Sequence, residues 1–367
     1  MPRSLEEYHR DVISGGEIGA AAAMLRGSLR VASPFYSLAT ATRNAMFNSG
    51  KLAIGRAGRP VISVGNITTG GTGKTPVVLW LCQRLIEAGL KPAVLLRGYK
   101  GGDEQRMLQS KLTQTLVEAN PDRLAGAQYV LNVQPSVDVF VLDDGFQHRR
   151  LYRDLDIVLI DASNPFGFGH VLPRGLLREP LSGLARAHAF LITHSQHGDT
   201  TPIEAVLNQK NPRAPVHRCD HAILGFQGGD VNGRKVLSFC GIGNPAAFER
   251  AVESAGAQRV GSQRFPDHHH YTIQDLTMLR DRWRHAGADA LVTTEKDWVK
   301  VAPIVAHVPD LPPILRAELT IRFAADDEAR LLELITRTIG SSPARVPPLA
   351  QAPMQTAASA PAGAERG

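Results

Sequence analysis

The stretch that most constrains this chain begins at Val61. Val61-Ile62-Ser63-Val64-Gly65-Asn66 reads as a buried strand, and Thr69-Gly70-Gly71-Thr72-Gly73-Lys74-Thr75-Pro76 as a glycine-rich turn opening an amphipathic helix over 77–88. Glycines without a Cβ let successive backbone N–H groups converge on an anion, and the helix N-terminus adds its dipole. In that arrangement Lys74 can reach the β- and γ-phosphates of a nucleotide while Thr75 offers a hydroxyl to Mg²⁺. Thr68 stands where the motif has its first glycine, yet the flanking strand and helix supply the required context. The expectation is a nucleotide-phosphate site made by Thr69, Gly70, Gly71, Thr72, Gly73, Lys74 and Thr75.

The rest of the chain suits such a site. Its 367 residues, 43% hydrophobic and 21% charged, can bury one large core or two smaller ones, and alternating strand and helix patterns predict an α/β fold. Cys82, Cys219 and Cys240 are scattered without a C-x-x-C, which fits a reducing cytoplasm. No apolar run is long enough to span a bilayer, and no signal peptide opens the sequence. The net charge of +6 is concentrated early: between Ile18 and Ile86 there is no Asp or Glu, but Arg26, Arg30, Arg43, Lys51, Arg56, Arg59, Lys74 and Arg84 all occur. Mixed with Met24, Val31, Phe35, Leu38 and Met46, these arginines describe either a helix lying in an anionic membrane interface or an ordinary packed helix with solvated charges. No nucleic-acid fold motif accompanies the charge, so no nucleic-acid partner is expected.

Strands are predicted at 61–64, 92–96, 137–142, 157–160 and 189–193. A helical segment over 19–49 is expected to be interrupted at Pro34. Around 220–234 the pattern turns to glycine and short β pieces, and a new unit begins at Lys235. It continues through helices at 246–255 and 273–286, a strand at 290–293 and a helix near 326–339. The domain reading is a helical segment over 1–58, a core over 59–220, a β-ribbon linker over 221–234, a second lobe over 235–340 and a disordered Ala/Pro/Ser-rich tail over 341–367.

Several polar clusters fall at strand ends. Val139-Phe140-Val141-Leu142-Asp143-Asp144-Gly145 has the form of a Walker B strand, which delivers an acid to the Mg²⁺ shell; sequence does not separate Asp143 from Asp144. Arg97 leaves the strand over 92–96 and suits phosphate oxygens, and Asp103 in the same loop can accept a proton from an attacking hydroxyl. Arg174 and Arg178, in a Pro/Gly-braced loop, can grip an anionic substrate. Three consecutive histidines, His268, His269 and His270, cannot all face one ion, so a single histidine paired with a carboxylate is preferred to zinc. Thr294-Glu295-Lys296-Asp297 follows a strand, with no mechanism to choose between contacting nucleotide and bracing a cleft. It is too loose an imitation of N-K-x-D to read guanine.

Taken in series, these segments resemble the tetraacyldisaccharide 4′-kinases. The resemblance rests on Ser63-Val64-Gly65-Asn66 with Gly70-Gly71-Thr72-Gly73-Lys74-Thr75-Pro76, on Arg97-Gly98-Tyr99, Gly102-Asp103-Glu104 and Asp143-Asp144-Gly145-Phe146-Gln147-His148. Leu177-Arg178-Glu179-Pro180, Gly241-Ile242-Gly243-Asn244-Pro245, Phe265-Pro266-Asp267-His268-His269 and Thr294-Glu295-Lys296-Asp297 complete it. It implies a P-loop NTPase-like core with a mostly parallel sheet, joined by a β ribbon to a smaller C-terminal α/β lobe, and an N-terminal amphipathic helix. The implied reaction moves the γ-phosphate of ATP, with Mg²⁺, to the 4′-hydroxyl of a tetraacylated glucosamine disaccharide 1-phosphate. The implied location is the cytoplasmic face of the inner membrane, held peripherally, with no obligate protein partner. Carried over residue by residue, the catalytic set is Asp103 as general base, His268 as its partner and Lys74 on phosphate. Thr75, Asp143 and Asp144 attend the metal, and Arg97 and Arg178 the substrate. Here the segment between Tyr99 and Gly102 is shorter than is usual in the family, Lys100 replaces a common glycine, and Gln105 replaces a proline.

Overall fold

Strands covered by helices on both faces read as unbroken apolar runs, and the five strands expected before residue 200 are buried along their whole length. The computed structural model describes residues 5–70, 72–98, 103–267 and 269–341. The expectations for Gly71, His268 and the tail from 342 onward lie outside those residues. Two helices come first, α1 (Leu5–Ser14) and α2 (Ala20–Asn48). There follow β1 (Val61–Asn66), α3 (Lys74–Glu87), β2 (Pro92–Leu96), α4 (Asp103–Lys111), β3 (Leu116–Ala119), α5 (Arg123–Val133), β4 (Val139–Asp143), β5 (Leu155–Asp161), β6 (Ala189–Thr193) and α6 (Thr201–Lys210). The second half runs β7 (Val216–Gln227), β8 (Lys235–Cys240), α7 (Pro245–Ser254), β9 (Gln258–Arg264), α8 (Ile273–Ala286), β10 (Ala290–Thr294), α9 (Glu295–Val305), β11 (Ile314–Phe323) and α10 (Asp327–Gly340).

All eleven strands join one sheet in the order β3-β2-β4-β1-β5-β6-β7-β11-β10-β8-β9. Every neighbouring pair is parallel except β7 with β11. β1 lies between β4 and β5, with Val64 level with Asp143, so the carboxyl ends of these strands open onto a common edge. In open α/β sheets that edge is where ligands gather. One face is covered by α3, whose Val77, Val78, Leu81 and Leu85 pack on Ile62, Val64, Val94 and Val141. Leu331, Ile335 and Ile339 of α10 return to the same cluster, so the last helix covers the first half of the sheet.

Two expectations change. The helix over 19–49 is not broken at Pro34: α2 continues through it. Proline removes one backbone hydrogen bond, and here contacts on both sides of it hold the helix instead. Ser33 Oγ donates to Val171 O at 3.1 Å, Tyr36 OH to Arg178 O at 3.0 Å, and Asn44 Nδ2 to Glu179 Oε2 at 2.8 Å. The short β pieces around 220–234 become part of one twelve-residue strand, β7, parallel to β6 at its start and antiparallel to β11 beyond Arg218.

Candidate active site

The turn after β1 is held from both sides before any ligand arrives. Asn66, buried at the end of β1, donates through Nδ2 to Thr72 Oγ1 at 2.8 Å and accepts from Lys74 Nζ at Oδ1, 3.3 Å away. Thr193 Oγ1, closing β6, donates to Thr72 O at 3.4 Å, and Thr69 N donates to Leu176 O at 2.7 Å. Gly73 stands at the N-cap of α3 with φ 77°, in the left-handed region. Having no side chain, it caps nothing, so the first amides of α3 stay open to an anion. Thr75 is the second residue of that helix.

At the end of β4 the two acids part company. Asp143 closes the strand, buried, while Asp144 turns into a left-handed conformation at φ 53°. Arg178 Nη1 donates to both Asp144 carboxylate oxygens at 2.8 Å, and Lys74 Nζ lies 3.5 Å from Oδ1. Burial alone would push the Asp144 carboxyl up, but Lys74 and Arg178 together hold it below the usual carboxylate range. The phosphate-loop lysine, one acid and one arginine therefore form a single charge cluster. Arg97 emerges exposed from the end of β2. Asp103 opens α4, with its side chain outside what the structure describes.

Sequence reasoning missed a chain of three residues under the same loop. Asp161 ends β5, its Oδ1 accepting from Ser163 N at 2.9 Å and from Ser163 Oγ at 2.7 Å. The same oxygen is 3.0 Å from His194 Nδ1, and His194 Nε2 is 2.9 Å from His221 Nδ1 on β7. The His221 ring ends against Gly73: a Cβ there would lie 1.9 Å from His221 Cε1. Burial, reinforced by the neighbouring His194, pushes the His221 imidazole down to about 4, so it is neutral at physiological pH. The available signal was positional, since Asp161 and His194 each follow the carboxyl end of a buried strand.

The second half of the chain presents two loops to this edge, and the 294–297 segment fastens both. Asp297 Oδ2 accepts from Gly241 N at 3.1 Å and from Thr294 Oγ1 at 2.7 Å, fixing the start of the 241–245 loop. Lys296 Nζ lies 3.1 Å from Asp267 Oδ1 in the histidine-bearing loop, and Glu295 Oε1 lies 3.3 Å from Lys111 Nζ of α4. Burial raises the Asp297 carboxyl against the pull of these donors. His269, next to His268, pairs with Asp275 at 3.1 Å and stacks on Phe265. Between the loops and the phosphate turn lies a cleft of about 260 Å³, bordered by Thr69, Gly70, Asp161, Asn244, Arg264 and Arg10.

A family model described as Tetraacyldisaccharide-1-P 4′-kinase matches residues 25–339. The chain belongs to the tetraacyldisaccharide 4′-kinase family. Among its relatives, the tetraacyldisaccharide 4′-kinase of Anaeromyxobacter sp. (strain Fw109-5) is 38% identical over 321 residues, covering 79% of this chain and 86% of that protein. That of Geobacter sulfurreducens is 34% identical over 346 residues, covering 86% and 94%. A crystal structure of LpxK from Aquifex aeolicus in complex with ATP superposes with a TM-score of 0.65 at 26% identity, over 86% of this chain and 99% of that one. Membership of the tetraacyldisaccharide 4′-kinase family makes this chain a kinase of lipid A biosynthesis, as the resemblance implied. The α/β P-loop architecture expected for the family is the one described above. The matched residues begin inside α2, so α1 precedes them.

Proposed function

We propose that this kinase binds ATP on residues 69–75 and transfers its γ-phosphate to the 4′-hydroxyl of a tetraacylated glucosamine disaccharide 1-phosphate. The observation that carries the reading is the convergence of the open α3 N-terminus, Lys74 and the acids ending β4 at one sheet edge. The ATP named in the Aquifex aeolicus complex supports the choice of donor. In this reading Thr69, Gly70, Gly71, Thr72 and Gly73 cradle the phosphates and Lys74 neutralises the charge that builds up on them.

The residues present also suit Mg²⁺. Thr75 and Asp143 are hard oxygen donors, and Mg²⁺ takes one or two protein oxygens and fills its shell with phosphate and water. Because Asp144 is engaged by Arg178 and Lys74, we assign the carboxylate contact to Asp143 and the positioning of Lys74 to Asp144. When bound, the ion supplies charge neutralisation on the transferring phosphoryl group. The family resemblance makes Asp103 the acceptor of the sugar hydroxyl's proton, with His268 as its partner. The sugar oxygen then forms the new O–P bond while the bond to the bridging oxygen breaks and its electron pair leaves with ADP. Arg97, at the mouth of β2, is assigned to substrate phosphate. Arg178 is assigned to substrate too, and to holding Asp144.

We infer further that the enzyme sits on the inner membrane, peripherally, through α2. Val31, Phe35 and Leu38 are 69%, 73% and 67% exposed and recur at helical spacing beside Arg26, Arg30 and Arg43. No helix among the described residues is long and apolar enough to cross a bilayer. The core over 59–220 and the lobe over 235–340 are kept as functional units, with α10 lying on the core. The decisive experiment incubates the purified chain with γ-labelled ATP and the monophosphorylated acyl-disaccharide. Label should move to lipid with wild-type protein and not with Lys74→Ala; transfer at equal rates by both would refute the assignment.

A further inference from the structure

α1 lies outside the residues that match the family model, yet it is firmly docked. Val12 and Ile13 are buried, Arg174 Nη1 donates to Ile13 O at 2.9 Å, and His9 Nε2 is 3.0 Å from Pro173 O. Arg26 Nη1 donates to Glu17 O at 2.8 Å, closing the turn into α2. These contacts set Arg10 at the mouth of the cleft described above. Its Nη1 donates to Gly243 O at 3.2 Å, and its Nη2 is 3.7 Å from where a Cβ on Gly70 would stand. Gly70 has φ 109°, which few residues besides glycine adopt, so this close approach belongs to the phosphate turn itself.

A guanidinium carries five N–H donors in a rigid fork suited to phosphate oxygens, and the Gly243 carbonyl occupies one edge of this one. Among the described residues, the other charges bordering the cleft are already answered. Arg264 is paired twice with Glu249, at 2.8 and 2.7 Å, and Asp161 is held by Ser163 and His194. Among the described residues bordering the cleft, Arg10 is thus the cation that no carboxylate pairs.

We propose that Arg10 is a catalytic arginine acting in cis on the triphosphate, bridging Gly70 of the phosphate turn and Gly243 of the 241–245 loop. This rests on the reading of residues 69–75 as the ATP site. In the transfer, the new bond forms between acceptor oxygen and phosphorus, the bond to the bridging oxygen breaks, and the acceptor's proton goes to the base. Arg10 exchanges no proton; it donates hydrogen bonds to oxygens whose negative charge grows as the bridging bond breaks.

The test uses the full chain, γ-labelled ATP and the acyl-disaccharide, comparing Arg10→Ala, Arg10→Lys, Arg174→Ala and Lys74→Ala. Arg10→Ala should lower kcat by about a hundredfold or more while changing KM for ATP far less, with an unchanged melting temperature. Arg10→Lys should recover part of that rate, and added guanidinium ion should restore turnover to Arg10→Ala but not to Lys74→Ala. Wild-type kcat in Arg10→Ala beside an inactive Lys74→Ala would overturn the role of Arg10 alone. Losses of equal size in Arg10→Ala and Arg174→Ala, without guanidinium rescue, would reduce it to docking α1. A fully active Lys74→Ala would overturn the shared reading of the phosphate turn, and this proposal with it.

Discussion

The imidazole of His221 occupies the space that a side chain on Gly73 would need, with Cε1 only 1.9 Å from the Cβ position. Gly73→Ala therefore meets two obstacles, a left-handed backbone costing an alanine about 1–2 kcal/mol and a collision with the ring. The variant should melt lower than wild type and lose binding of a fluorescent ATP analogue. Adding His221→Ala should recover part of the melting temperature but little of the binding, because the backbone strain at φ 77° remains.

The same histidine makes stability depend on pH. Its folded pKa of about 4 lies below the ordinary imidazole value near 6.5, so between those values the unfolded chain binds a proton that the folded chain does not. Stability then rises with pH across that window and is lost as pH falls through it, by on the order of 3 kcal/mol in all and about 2 kcal/mol between pH 7 and pH 5. Chemical denaturation at pH 7 and pH 5 measures this. His221→Gln should flatten the difference; an unchanged slope would show that the proton is taken up elsewhere.

Asp144 acts in the same sense, in a more acidic window. Because Lys74 and Arg178 hold its carboxyl low against the effect of burial, its contribution is complete above the ordinary carboxylate range and fades only as pH falls through the depressed value. Asp144→Asn should leave Lys74 and Arg178 facing each other without the anion, destabilising the fold by about 1–3 kcal/mol. Turnover should fall at neutral pH with little change in the acid limb above pH 5.

Asp297 fixes the 241–245 loop through Gly241 N and Thr294 Oγ1. Asp297→Ala strands both donors in a buried place, which costs about 1–3 kcal/mol, and frees the loop beside the cleft. Hydrogen exchange at Gly241 should accelerate while exchange in β1 does not. Lys296→Ala, releasing Asp267, should lower turnover with a smaller effect on melting temperature.

On the membrane side, Phe35→Glu with Leu38→Glu places two charges on the exposed face of α2. Cosedimentation with anionic vesicles should weaken severalfold, while turnover on substrate presented in detergent stays close to wild type. Binding unchanged by both substitutions would remove α2 as the anchor.

What could be read from sequence follows from how local the information is. β2 at 92–96, β6 at 189–193 and α8 at 273–286 were legible to the residue, because buried apolar runs and a Thr/Asp capping box carry their own boundaries. β7 was not, since its partner β11 lies far along the chain and its residues are only half buried. The turn between β1 and α3 was legible as a contiguous motif, but the Asp161–His194–His221 chain exists only because β5, β6 and β7 are neighbours in the sheet. The pairing of Arg178 with Asp144 was hidden for the same reason, although each residue had been picked out. The 294–297 segment could not be assigned until the loops it fastens were seen side by side.

The antiparallel pairing of β7 with β11 has a mechanical meaning. Two halves stitched into one hydrogen-bonded ladder do not swivel like beads on a string; any approach of the 241–245 loop to the phosphate turn must be spread along that ladder as coiling. The register slips once, between Glu318 and Leu319, and such an irregularity is where a ribbon yields most readily. Because β7 also carries His221 against Gly73, any torsion of that ribbon is delivered directly to the turn between β1 and α3.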